Sequence, residues 1–164
     1  MTESKYIWID GEFTPLNEAK VHVLSHTLHY GNGAIEGTKA YKTVDGRCAI
    51  FKLNEHTQRL LNSSKMTLMN VPFSLEELNK AQVELLQKNE LTNGAYIRPL
   101  VYLGYGVMGL YHKDAPVNVS VSAWEWGAYL GEEGLKKGVR VKISSFTRTP
   151  NTSGMGKAKA VANY

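Results

Sequence analysis

The sequence predicts an α+β domain built on a mostly antiparallel sheet with two main helices, and three observations predict it. Two pairs of short apolar runs each flank an Asp-Gly turn, at Asp10-Gly11 and at Asp45-Gly46, a strong hairpin signal. Later stretches alternate apolar and polar residues with period two, as half-buried strands do. Strands outnumber the helical patterns and their connections are hairpin-like, which favours antiparallel pairing.

In chain order, residues 5–13 (KYIWIDGEF) form the first hairpin and residues 38–51 the second, with TKAYKTV before Asp45-Gly46 and RCAIF after it. Between them runs VHVLSHTLHYGNGAIEG, rich in His and Gly, with no convincing helix in its first part. Asn54 stands where it can cap a helix running to about Leu68, with Leu60, Leu61 and Leu68 inward. A second helix is better marked. Ser74 and Glu77 have the spacing of a capping box, and Leu75, Leu78, Ala81, Leu85 and Leu86 follow at helical intervals until about Asn89. Thr92-Asn93-Gly94 then turns the chain. AYIRPLVYL reads as a strand with Tyr96, Arg98, Leu100 and Tyr102 on one face. Pro99 argues against a fully paired central position for it. After a glycine-rich loop, GYGVMGL, the stretches VNVSVSAW and VRVKISSF alternate cleanly and are both predicted strands.

The chain has 164 residues, enough for one domain with a real core. At 43% apolar and 21% charged it has an ordinary globular composition. No run of 18 apolar residues and no signal-peptide pattern occur, so no membrane span is expected and a cytoplasmic location is. The single cysteine, Cys48, lies in an apolar run and is expected in the core. The net charge of +4 is spread without a basic block, which argues against nucleic acid and mildly favours an anionic ligand.

Candidate chemistry starts with residues 154–164, GMGKAKAVANY, where Lys157 and Lys159 sit among small residues. A lysine desolvated in such a setting can form a Schiff base with an aldehyde, and small neighbours admit a flat ring. Read locally, a solvated Lys-Ala-Lys segment explains the pattern as well. Arg59, in EHTQRLL, suits either a bidentate phosphate contact or a salt bridge on a helix flank. Tyr96 and Arg98, side by side on one strand face, make either a carboxylate-binding pair or an amphipathic outer surface. Trp124, Trp126 and Tyr129 cluster where a strand ends, as core or as pocket. His22, His26 and His29 have spacings that would suit metal on a helix, but no carboxylate stands near except Glu36, and no metal site is expected. Neither a GxSxG elbow nor a P-loop is present.

Taken in order, HYGNGAIEG, EHTQRL, YIRPL, WGAYLG and KAVANY resemble the fold-type IV pyridoxal-phosphate enzymes, and within them the branched-chain amino acid aminotransferases. The resemblance covers the whole chain. HYG, HxxRL and the late lysine mark the wider class. YIRPL and WGAYLG narrow it, against D-amino acid and (R)-amine aminotransferases and aminodeoxychorismate lyase; a non-catalytic fragment is the alternative from another class. The resemblance implies pyridoxal 5'-phosphate as cofactor and transamination of Leu, Ile and Val with 2-oxoglutarate. Lys159 takes the place of the catalytic lysine bound to the cofactor's aldehyde, Arg59 that of the phosphate ligand, and Tyr164 that of the tyrosine at the cofactor's phenolic oxygen. Tyr96, Arg98, Trp126 and Tyr129 match substrate-holding residues, Arg98 with a route to glutamate's second carboxylate. Ile35 sits where many relatives carry Phe. Tyr30 and the loop 107–110, Leu110 included, match parts that reach a neighbouring subunit's pocket, which implies at least a homodimer. The implied division is an N-terminal domain over 1–130 and, over 131–164, an interdomain segment and the start of a second domain. A chain ending there is expected to be weak or inactive alone.

Overall fold

A computed structural model describes residues 4–126, 131–147 and 154–164. Its seven-stranded sheet is antiparallel at every pairing. The strands are β1 (Tyr6–Ile9), β2 (Glu12–Pro15), β3 (Gly33–Ile35), β4 (Thr38–Lys42), β5 (Cys48–Ile50), β6 (Ala95–Leu103) and β7 (Val117–Trp124). They lie in the order β2-β1-β7-β6-β4-β5, with β3 also pairing β6. Helices α2 (Leu53–Met66) and α3 (Leu75–Lys88) cover one face. The core lies between them: Ile97, Val101 and Leu103 of β6, Val119 and Val121 of β7, and Trp8 pack with Leu60, Leu78 and Leu85. Burial of this continuous apolar surface is what holds sheet to helices. Alternation sends Tyr96 and Arg98 to the opposite face, as the sequence predicts.

Both predicted hairpins form. Asp10 and Gly11 take φ of 47° and 103°, the left-handed pair that a two-residue turn requires. The Asp10 carboxylate then accepts from the Val119 amide and the Asn118 side chain, each at 2.6 Å, and pins the turn to β7. α3 carries the capping box as read, Glu77 N donating to Ser74 Oγ at 3.2 Å and Ser74 N to Glu77 Oε2 at 2.7 Å.

Five expectations are corrected. Asn54 does not cap α2. The helix starts two residues earlier, at Leu53 after Lys52 at φ 55°, and Asn54 Oδ1 accepts from Asn79 Nδ2 of α3 at 2.6 Å. Leu68 is 79% exposed rather than inward, because α2 ends at Met66, Leu68 turns at φ 59°, and Met69 enters the core instead. β6 is central despite Pro99. The Pro99 carbonyl accepts from Glu36 N at 3.0 Å, so its absent N–H falls on the same side, in the break between β3 and β4 where no ladder bond is forgone. Residues 139–146 form no strand; Val141, Ile143 and Phe146 are 89%, 95% and 88% exposed, and alternation without a partner strand makes no sheet. A one-turn helix, α1 (His26–Tyr30), stands where none was read, and a further helix, α4 (Gly131–Lys137), follows β7. Cys48 is half-buried against the core. No helix of the described residues is long and apolar enough to cross a membrane.

Candidate active site

The break between β3 and β4 that tolerates Pro99 also builds the site. Residues 154–164 return to β3 there. Ile35 N donates to Lys159 O at 3.0 Å, Lys159 N to Ser63 Oγ of α2 at 3.0 Å, and Ala34 bridges Ala160. Ala158 beneath is 3% exposed. The 3-10 turn Val161–Asn163 follows and fits because residue 33 is glycine; a Cβ there would lie 2.9 Å from Val161 Cγ2. This turn brings the Tyr164 hydroxyl to 2.8 Å from Lys159 Nζ. Lys157, two residues earlier, is exposed.

Lys159 and Tyr164 open on a cleft of about 530 Å3. Ile35 and Lys39 line it from β3 and β4, Tyr96 and Arg98 from β6, and Trp126 from beyond β7. Arg98 Nη2 donates to Tyr96 Oη at 2.9 Å. The Tyr96 ring lies 4.7 Å from Trp126 and 5.2 Å from Trp124. Tyr96 reaches this place because residue 37 is glycine; a Cβ there would lie 2.0 Å from its hydroxyl oxygen.

Beneath, Glu36 is fully buried and gathers the polar groups of α2. Arg59 donates to both of its oxygens, from Nε and, at 2.8 Å, from Nη2; His56 Nδ1 lies at 2.9 Å and the Gly37 amide at 3.2 Å. Burial raises the Glu36 carboxyl's pKa, but the hydrogen bonds from Arg59, His56 and Gly37 outweigh it and the net shift is downward. The Arg59 pKa is raised, chiefly by its hydrogen bonds to Glu36. The Arg59 side chain stays 53% exposed, and with two of five guanidinium donors on Glu36 it keeps others for an anion.

The structure thus brings together Lys159, Tyr164, Ile35, Tyr96, Arg98 and Trp126 of the expected set, with Arg59 alongside. Tyr30 and Leu110 are elsewhere. The Tyr30 ring lies tilted 4.6 Å from that of His26, whose Nε2 lies 2.8 Å from Gly109 O, and Leu110 is 87% exposed. Tyr129 lies outside the described residues. The histidines have separate partners: His26 holds Gly109, His29 Nε2 lies 3.0 Å from Val23 O, and His22 stacks on Tyr105 at 4.0 Å. Sequence reasoning missed the work of Glu36, His56, Ser63 and Lys39. Period two from Tyr41 would have put Lys39 on the face shared with the cleft; the other three converge only in space.

The donor set suits a flat, phosphorylated aldehyde. It offers an amine with a phenol beside it, a half-exposed guanidinium, and a strand break where Gly33 and Gly37 admit Val161 and Tyr96 at close range. Among the described residues, Arg98 Nε and Trp124 Nε1 are buried without a hydrogen-bond partner, so polar demand remains on this face.

Residues 33–164 match the amino-transferase class IV family. The chain is 46% identical over 158 residues to a branched-chain-amino-acid aminotransferase of Pseudomonas aeruginosa, covering 96% of this chain and 51% of that protein. It is 42% identical over 168 residues to the Escherichia coli K12 protein of the same name, covering all of this chain and 53% of that one. It also superposes on a branched-chain amino acid aminotransferase from T.th. crystallised with pyridoxamine 5'-phosphate, with a TM-score of 0.90 at 44% identity, covering 99% of this chain and 53% of that one. The chain spans about half the length of the curated relatives it matches.

Proposed function

The chain belongs to the amino-transferase class IV family, and from that membership we propose that its full-length protein is a pyridoxal-phosphate-dependent branched-chain amino acid aminotransferase. It moves the amino group of Leu, Ile or Val to 2-oxoglutarate, giving branched 2-oxo acids and glutamate. One observation carries the reading: the Lys159 amine, 2.8 Å from the Tyr164 hydroxyl, opens on the cleft that the Tyr96–Arg98 pair lines. The names of the relatives support the substrate class. The pyridoxamine phosphate in the superposed crystal structure supports the cofactor.

Pyridoxal phosphate, when bound, supplies the electron sink that lets an amino acid's α-carbon lose a proton. Arg59 would hold its phosphate, and the Tyr164 hydroxyl would meet its phenolic oxygen. The Lys159 Nζ would take the proton from the substrate's α-carbon as base and give it back as acid. Tyr96 and Arg98 would hold substrate carboxylate, Arg98 with a route to glutamate's second carboxylate, and Ile35, Trp126 and Tyr129 would wall an apolar side chain. One methylene in such a pocket discriminates by only about 1–3 kcal/mol, so all three branched substrates are accepted. The reading carries a homodimer or higher homo-oligomer in which Tyr30 and Leu110 serve the neighbouring subunit's pocket, residues 131–164 opening a second domain, and a cytoplasmic location.

The test is reduction with borohydride after incubation with pyridoxal phosphate, followed by peptide mapping, alongside turnover of L-Leu, L-Ile and L-Val by the full-length protein. A single adduct on Lys159 with turnover of all three is expected. An adduct on Lys157, or turnover confined to D-amino acids or amines, would sink the reading.

A further inference from the structure

Among the described residues Glu36 is the one acidic side chain that is buried. On the functional reading above, on which this inference rests, it stands beneath the arginine that meets the cofactor's phosphate. A carboxylate there repels an incoming dianion, so its place needs a reason other than charge. The hydrogen bonds supply one. A carboxylate accepts about four, and Glu36 receives four: Arg59 Nε on Oε1, and Arg59 Nη2, His56 Nδ1 and the Gly37 amide on Oε2. Its backbone is fixed as well. Ile35 N donates to Lys159 O and Glu36 N to Pro99 O, each at 3.0 Å. Little freedom is left to this carboxylate, and it takes Arg59 by one edge only. Nε and Nη2 form the side edge of the guanidinium. The end edge, Nη1 with the second hydrogen of Nη2, has no hydrogen-bond partner among the described residues. The Arg59 side chain is 53% exposed, so without Glu36 a long and mobile stem would carry this fork. His56 and Arg59 stand three positions apart on α2 and so share a face, which is why one carboxylate can hold both.

We propose that Glu36 is the positioning residue of the phosphate site: it grips the side edge of Arg59 so that the end edge is presented, already oriented, to a phosphate monoester. Two parallel N–H donors match two phosphate oxygens, as they match the two oxygens of a carboxylate. The rotamer freedom of Arg59 is surrendered when the chain folds rather than when the phosphate arrives, and binding is tighter by that difference. The repulsion stays small because the Glu36 charge is already shared among a guanidinium, an imidazole and an amide. The same residue joins the two ends of the site. Its neighbour Ile35 holds the backbone of Lys159, and its own side chain sets Arg59. The span from amine to phosphate fork is thereby held through one strand break.

The test uses the full-length protein and measures the dissociation constants of pyridoxal phosphate and of pyridoxal, which lacks the phosphate, from the absorbance change on binding. The variants are Glu36→Gln, Glu36→Asp, Arg59→Met, and Glu36→Gln combined with Arg59→Met. In Glu36→Gln the preference for pyridoxal phosphate over pyridoxal is expected to fall about tenfold or more, and in the Arg59→Met background the same change is expected to move it by less than about twofold. An equal loss for both aldehydes, or no loss, makes Glu36 a structural support alone and overturns the proposal. A preference that rises also overturns it, since the carboxylate then acts by repulsion, and so does a fall that persists undiminished without Arg59. Should Glu36→Gln fail to fold, Glu36→Asp decides by the same ratio. It keeps a charge near His56 but draws the carboxylate back by one methylene, so the preference is expected to fall, and an unchanged one overturns the proposal. A wild-type protein that turns over no branched-chain amino acid removes the functional reading, and the aldehyde ratio still decides Glu36.

Discussion

Glu36 and its partners show what a single buried charge contributes. A carboxylate with no exposed side-chain surface persists because Arg59, His56 and the Gly37 amide all point at it. Its folded-state pKa is lowered, so its contribution to stability is present above the unfolded carboxylate value and is lost as pH falls through the folded one. Urea unfolding from neutral pH down to about pH 3 should therefore show stability falling below roughly pH 4, with a shallower fall in Glu36→Gln. An equal slope in both proteins would assign the acid loss to other carboxylates. At this scale legibility is uneven. Lys159, Arg59 and Tyr96 stand in short motifs whose residue types announce their chemistry. Glu36 sits in HYGNGAIEG as one acid among small residues, and its partners come from a helix some twenty positions away. Only the fold makes that a site.

At the scale of elements, local chemistry was legible where a local rule decides. The capping box of α3 is written in Ser74 and Glu77 and forms as written. Ser74→Ala should cost about 0.5–2 kcal/mol in urea unfolding while leaving the cleft intact, and no measurable loss would mean that packing alone sets that helix start. Elements failed to read where tertiary context overrides the rule. Asn54 has the chemistry of a cap but is drawn to Asn79 on the neighbouring helix. Pro99 is a strand breaker in isolation, yet its missing donor coincides with a gap between two partner strands. Residues 139–146 have the alternation of a strand and lack a partner for it.

For the molecule as a whole, the sheet, its helices and the return of residues 154–164 make one packed body around β6 and β7, while residues 139–146 stand apart with their large side chains exposed. Stability is then unevenly distributed. In hydrogen exchange on the 164-residue chain, amides of β6 and β7 should be the slowest and those of residues 139–146 among the fastest. Comparable protection in both would contradict the packing described. The strand-like return of Lys159 along β3 has a consequence of another kind. Lys157 and Lys159 are twins in chemistry and lie two positions apart, so in an extended segment a slip of two residues would put one amine where the other belongs. What tells them apart is address rather than character. The Ser63 hydroxyl, the Ile35 amide and the Ala34 bridge read the backbone around residue 159 and fix its place. Which lysine faces the cleft is thus decided by counting along the chain, and lengthening or shortening the loop before it by two residues would put that counting to strain before it touched any side chain of the site.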